Sequence, residues 1–204
     1  MILGLLKELG DETRVALLPD NVKNLTGSKV EVMVEEGAGL SAFTADEDYS
    51  QSGAKISSRQ AIFEKADVLL QIQPPLESEV KKIKPGQVWI SAINPLWETG
   101  LVKMLQETGV TSFSLDSIPR TTRAQAMDIL SSMATVSGYK AVLEAALLLP
   151  TFFPMFMTAA GTVRPANVLI LGAGVAGLQA IATARKLGGQ VEAFDVRSAV
   201  REEV

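Results

Sequence analysis

Asn167-Val-Leu-Ile-Leu171-Gly172-Ala173-Gly174-Val175-Ala176-Gly177, then a helix-like run Leu178–Leu187, then Gln190-Val-Glu-Ala-Phe194-Asp195, is the stretch on which the fold turns. A bare Gly-x-Gly-x-x-Gly is weak evidence. Here the glycines close an apolar strand and open a helix, and an acid ends a second strand about twenty residues further on, the context that marks a dinucleotide-binding turn. Gly172 suits the tight turn, Gly174 lets a pyrophosphate approach backbone, and Gly177 lets helix and strand pack closely. The helix start, with Val175 and Ala176, supplies amide donors and the positive end of the helix dipole. Asp195, followed by Val196 and Arg197, is expected to accept hydrogen bonds from the adenosine ribose and to repel a 2′-phosphate, so the expected ligand is NAD(H) rather than NADP(H). Arg197 is the counter-feature, because an arginine there can hold a 2′-phosphate; its plainer reading is a solvated charge.

A mononucleotide-binding half needs three strands and the full fold two such halves, yet only Val196–Val204 follow Asp195, so the chain is expected to be a fragment. Upstream, short β-type runs alternate with helix-type stretches, the rhythm of a parallel α/β sheet. The strand candidates are Ile2–Leu6, Val30–Glu35, Asp67–Ile72, Gln87–Ile93 and Val110–Leu115; Pro19–Leu25, Ser57–Lys65, Leu76–Ile83 and Leu96–Glu107 read as helices. A longer helical pattern from about Ala124 to Leu149 reads as a connector between domains. The expected fold class is thus α/β with two Rossmann-like parallel-sheet domains, the second incomplete. Residues 1–131 form a flavodoxin-like domain, and residues 132–204 hold the connector helix and the first β-α-β unit of an NAD-binding domain.

Composition bounds the chemistry. The 204 residues are 47% hydrophobic and 21% charged, as in ordinary globular protein, and the net charge of -4 gives no electrostatic reason to approach nucleic acid. With no cysteine there is no thiolate zinc site, thiol nucleophile or iron–sulfur cluster, and with no histidine any proton transfer falls to Asp, Glu, Lys, Tyr or water. No metal ligand set is expected. Met1–Leu6 is too short for a secretory segment, which predicts a cytoplasmic chain. Ala145–Val163 carries no charge over nearly the length of a bilayer, but Pro150, Pro154 and three threonines argue for a buried helix end and an interdomain crossing, without membrane insertion.

Arg120-Thr-Thr-Arg-Ala-Gln125-Ala-Met-Asp128-Ile-Leu-Ser131-Ser132 gathers polar groups where the long helix begins. Spacing alone favours a cap, with Thr122 at the N-cap and Gln125 three residues on. The functional reading sets Gln125, Asp128 and Ser132, or Ser131 one residue round, on one helix face, a polar line that suits a carboxamide; Arg120 would contact the ligand or fix Asp128.

These residues, with Glu12-Thr-Arg14-Val-Ala16, Glu35-Glu-Gly-Ala-Gly39, Ser137-Gly-Tyr-Lys140 and Met157-Thr-Ala-Ala-Gly161, resemble the family that unites alanine dehydrogenase with the NAD(H)-binding component of proton-translocating NAD(P) transhydrogenase. The block Pro119–Asp128 resembles the transhydrogenase branch and its nicotinamide loop. That resemblance implies that Arg120, Gln125 and Asp128 contact or position the nicotinamide, with Ser131 nearby; it takes precedence over the capping reading, although both can hold for Gln125. It also implies a homodimer, a partner subunit that holds NADP(H), membrane-spanning partner subunits, and a peripheral position on the inner face of the cytoplasmic membrane. In alanine dehydrogenases a lysine and a histidine handle the amino acid, whereas the matching positions here are Gln71 and Asn94, neither an acid nor a base near neutral pH. Arg14, the expected carboxylate holder, lacks those partners. Direct hydride transfer between two nicotinamides needs no such relay. The alternatives are an amino-acid oxidoreductase with displaced catalytic groups and a non-catalytic NAD-binding module.

Overall fold

Alternating side chains give each strand two faces, and in the first half of this chain both are apolar, the mark of a sheet covered on both sides. The computed structural model describes residues 1–202. It divides into two compact units, Met1–Met127 and Asp128–Val204. In the first, strands β1 (Ile2–Leu5), β2 (Glu31–Glu35), β3 (Lys55–Ser57), β4 (Val68–Leu70), β5 (Val88–Ser91) and β6 (Thr111–Ser114) alternate with helices α1 (Pro19–Gly27), α2 (Asp46–Gln51), α3 (Arg59–Lys65), α4 (Glu77–Val80) and α5 (Thr99–Thr108). The six strands form one parallel sheet in the order β3-β2-β1-β4-β5-β6. Leu3, Leu5, Val32 and Val34 pack on one face with Val22 and Tyr49; Leu6, Met33, Leu69 and Trp89 pack on the other with Ile62, Phe63 and Leu105.

The five strands expected from sequence all form. Taken by themselves they run in the order 2-1-3-4-5, the flavodoxin arrangement; the short edge strand β3 extends this to 3-2-1-4-5-6, the dinucleotide-fold order. The flavodoxin-like expectation is corrected by those three residues, Lys-Ile-Ser, too few to carry an alternating pattern. Helix α2, six residues long and acidic at its start, was also illegible as a helix. In either case the strand order reverses between β1 and β4, which opens a crevice at the carboxyl ends of these strands.

The second unit begins with helix α6 (Ile129–Leu148), followed by a β-hairpin, β7 (Phe156–Thr158) and β8 (Gly161–Val163), then β9 (Asn167–Leu171), α7 (Val175–Lys186) and β10 (Gln190–Phe194). β9 and β10 pair in parallel, from Asn167 opposite Gln190 to Leu171 opposite Phe194. Val142 of α6, Phe153, Ala166, and Ala180 and Ala184 of α7 form its core. Two expectations change here. The long helix does not start near Ala124: Thr122–Met127 is a 3-10 turn, and α6 begins after Asp128. Nor is the end of α6 buried: the helix packs on α7 inside the second unit, while Leu147 and Leu148 are exposed. Among the described residues no helix is long and apolar enough to cross a membrane.

Candidate functional site

The turn between β9 and α7 has the backbone its glycines were expected to allow. Gly172 has φ +95°, a left-handed conformation that side chains resist. A Cβ on Gly177 would lie 1.8 Å from the Gly172 carbonyl oxygen, so only hydrogen fits. A Cβ on Gly174 would meet nothing within 4 Å except the Arg197 guanidinium. The backbone at Gly174 is therefore open to close approach. Gly174 also caps α7 without a side-chain bond to the first-turn amides, which leaves a positive helix end facing that opening.

Asp195 stands beside this turn because β10 lies in register with β9. Its Oδ2 accepts a hydrogen bond from the Ala173 N–H at 2.8 Å, and its Oδ1 accepts one from the Arg197 N–H at 2.8 Å. Arg197 also closes a two-pronged ion pair, Nε to Oδ1 at 3.0 Å and Nη2 to Oδ2 at 2.9 Å. Hydrogen bonds from Arg197 and from the Ala173 amide hold this carboxyl well below the usual carboxylate range. Ala173, Phe194, Asp195, Arg197, Ser198 and Val200 line a cleft of about 470 Å³. Arg197 is thus a solvated charge that is also paired with Asp195. The Ala173 amide was missed in the sequence, as any backbone donor would be, since nothing in an alanine announces it.

A second contact was missed as well. Gly138 of α6 lies so close to α7 that a Cβ there would sit 2.0 Å from the carbonyl oxygen of Ala176. Its sequence signal is the glycine of the Ser137-Gly-Tyr-Lys140 segment, to which neither spacing nor resemblance assigns a role.

The loop residues fall on both sides of the division between units. Arg120 and Gln125 belong to the first, both exposed, Gln125 within the 3-10 turn. Asp128 and Ser131 belong to the second. Asp128 is the N-cap of α6: its Oδ1 accepts from the Ser131 N–H at 2.9 Å and its Oδ2 from the Ser131 hydroxyl at 2.6 Å. The helix cap expected at Thr122 thus lies at Asp128, and Gln125 shares no helix face with Asp128 or Ser132.

At the switch-point crevice of the first unit, Gln71 is fully buried. Its Oε1 accepts from Arg59 Nη2 at 3.2 Å, while Nε2, turned toward the Glu8 carboxylate, has no partner at hydrogen-bonding geometry. Burial raises the Glu8 carboxyl above its ordinary value, offset to a degree by the Ile72 and Gln73 amides that it accepts from. Arg14 spends its fork on Glu12, at 2.8 and 2.6 Å, and that pairing brings the Glu12 carboxyl down to about 2. Asn94 occupies a left-handed position, φ 54°, and its carbonyl accepts from Trp97 and Glu98. This crevice holds no lysine or histidine at the two matched positions, and its arginine faces a carboxylate of its own chain.

The family models for the alanine dehydrogenase/PNT N-terminal and C-terminal domains match residues 4–137 and 141–204. The chain belongs to the alanine dehydrogenase/PNT family. Within that family it is 43% identical over 194 residues to NAD(P) transhydrogenase subunit alpha of Cereibacter sphaeroides, a match covering 95% of this chain and 37% of that protein. It is 41% identical over 205 residues to NAD(P) transhydrogenase subunit alpha of Haemophilus influenzae, covering 100% of this chain and 40% of that protein. Among solved structures, transhydrogenase from Sinorhizobium meliloti superposes with a TM-score of 0.96 at 42% identity, over the whole of this chain and 61% of that one. An L-alanine dehydrogenase superposes with a TM-score of 0.87 at 27% identity, over the whole of this chain and 57% of that one. The chain therefore spans well under half the length of these two curated relatives, and it shares its fold with a member of each branch of the alanine dehydrogenase/PNT family.

Proposed function

We propose that this chain is the NAD(H)-binding component of an NAD(P) transhydrogenase, and that it acts with a partner subunit that holds NADP(H). The observation that carries the reading is Asp195, fixed by the Ala173 amide beside a turn whose Gly174 backbone stands open. A bound nicotinamide dinucleotide would supply a ring carbon that gives or takes hydride. Around it, the amides at the start of α7 would hold the pyrophosphate, and Asp195 would take the adenosine ribose in the cleft it lines. The stretch Arg120–Ser131 would orient the nicotinamide end, with Arg120 and Gln125 offering donors to a carboxamide and Asp128 and Ser131 fixing the start of α6. Orientation is the main work such a transfer asks of the protein, because hydride passes between two rings without a proton relay.

The transhydrogenase branch is favoured over amino-acid oxidation by the switch-point crevice of the first unit. Gln71 and Asn94 cannot move a proton near neutral pH, and Arg14 is tied to Glu12. NADH formation from alanine by the protein would overturn this. Tight NAD binding with no hydride exchange in the presence of NADP-bearing partner subunits would favour a non-catalytic module. The reading further carries a homodimer, membrane-spanning partner subunits, and a peripheral position on the cytoplasmic side of the membrane.

Two variants test it. Asp195→Ala should weaken NADH by about tenfold or more, the worth of one or two hydrogen bonds to a charged acceptor, while NADPH loses less; an unchanged preference in a calorimetric titration removes Asp195 from the ribose. Gln125→Ala should slow hydride transfer in the assembled enzyme more than it weakens NADH binding, because orientation matters at the ring. Equal losses, read from single-turnover kinetics beside equilibrium titration, would make Gln125 a binding contact only.

A further inference from the structure

An ionised carboxylate offers about four lone-pair sites on its two oxygens. At Asp195 all four are taken: two by the backbone amides of Ala173 and Arg197, two by the Arg197 fork. The backbone pair positions the carboxylate and belongs to the turn itself. The other pair presents two N–H groups side by side, the same pattern of paired donors that a ribose 2′,3′-diol presents. The guanidinium also hangs over the glycine turn, its Nη2 being 3.9 Å from where a Cβ on Gly174 would sit.

We propose that the Arg197 guanidinium and the adenosine ribose diol compete for the same two acceptor sites of Asp195, which makes Arg197 a specificity-determining residue. The inference rests on the dinucleotide reading above and deepens it. For the diol to reach the carboxylate, the fork must swing aside, and its side chain, 60% exposed, has room to do so. Once displaced, the guanidinium remains next to the ribose and carries a positive charge. That charge has little to offer an unphosphorylated ribose, but it offsets the repulsion between Asp195 and a 2′-phosphate. Arg197 therefore costs affinity for NADH and spares some affinity for NADPH, the reverse of what a simple contact residue would do.

The test is to titrate the protein with NADH and with NADPH, unchanged and as Arg197→Gln and Arg197→Lys. Arg197→Gln removes both fork and charge: NADH should bind roughly threefold to fivefold tighter, the worth of an exposed ion pair, while NADPH weakens, so that the preference widens by about tenfold. Arg197→Lys keeps the charge without the fork. It should tighten NADH nearly as much and leave NADPH close to the unchanged protein. Weaker NADH binding by Arg197→Gln would mean that the guanidinium holds the dinucleotide directly, and equal affinities across all three proteins would mean an idle surface pair; either overturns the proposal while leaving the dinucleotide reading intact. Absence of any NADH signal from the unchanged protein is a different result, and overturns the dinucleotide reading together with this inference.

Discussion

Arg59→Ala should lower the stability of the first unit by about 3–5 kcal/mol, the cost of removing one member of a largely buried ionic network. Arg59 donates from Nε to Glu79 at 2.7 Å, from Nη1 to Glu35 at 2.6 Å and to the Lys7 carbonyl at 3.0 Å, and from Nη2 to Gln71. The side chains of Glu79 and Glu35 are only 7% and 14% exposed, so water cannot replace what the guanidinium supplies. Each partner is also fastened to backbone. Glu35 accepts from the Lys7 N–H and Glu79 from the Leu76 N–H, so the network pins the ends of β1, β2 and β4 where the crevice opens. Urea unfolding of the variant should show the loss as a lower midpoint, and adding Glu79→Gln should recover some of it by removing one orphaned charge. A loss under about 1 kcal/mol would mean that the carboxylates find solvent and that the network behaves as a surface ion pair.

That network was invisible in the sequence, and the reason is geometric. Arg59, Glu35, Glu79 and Gln71 lie on different elements and meet only once the parallel sheet has formed; neither spacing nor composition links them. What was legible was local. Runs such as Val-Met-Val in β2 and Val-Leu-Leu in β4 announce strands buried on both faces, and the glycine turn announces strand, bend and helix in one motif. Errors arose where local signals were short or ambiguous. β3 is three residues long, and the helix expected from Ala124 begins only where the Asp128 carboxylate can cap it, after a 3-10 turn with the same polar composition as a helix start. At the candidate site, the acid and the glycines could be read in advance, while their backbone partners could not. The charge of Arg197 is legible in the sequence, but its fork on Asp195 is a fact of side-chain geometry.

Gly138→Ala should destabilise the second unit by about 3 kcal/mol or more and weaken NADH by about tenfold or more, as if at least one amide contact to the pyrophosphate were lost. A Cβ at this position would stand 2.0 Å from the Ala176 carbonyl oxygen and 2.8 Å from its carbonyl carbon. Both are backbone atoms of the first turn of α7, so no rotamer change can make room; either α6 backs away or that turn moves. The core that α6 and α7 share through Val142, Ala180 and Ala184 resists the first, and the Gly172–Gly177 contact resists the second. The sign of the effect is itself diagnostic. In an ordinary helix interior, glycine to alanine is favourable by about 1 kcal/mol, because alanine has less backbone entropy to lose. Thermal unfolding of the variant therefore separates the two cases. A higher melting temperature would mean that α6 does not press on α7 at Gly138, and a lower one with NADH affinity unchanged would confine the contact to packing. A lower melting temperature together with the affinity loss is the result expected if helix α6 sets the position of the amides at the mouth of the glycine turn.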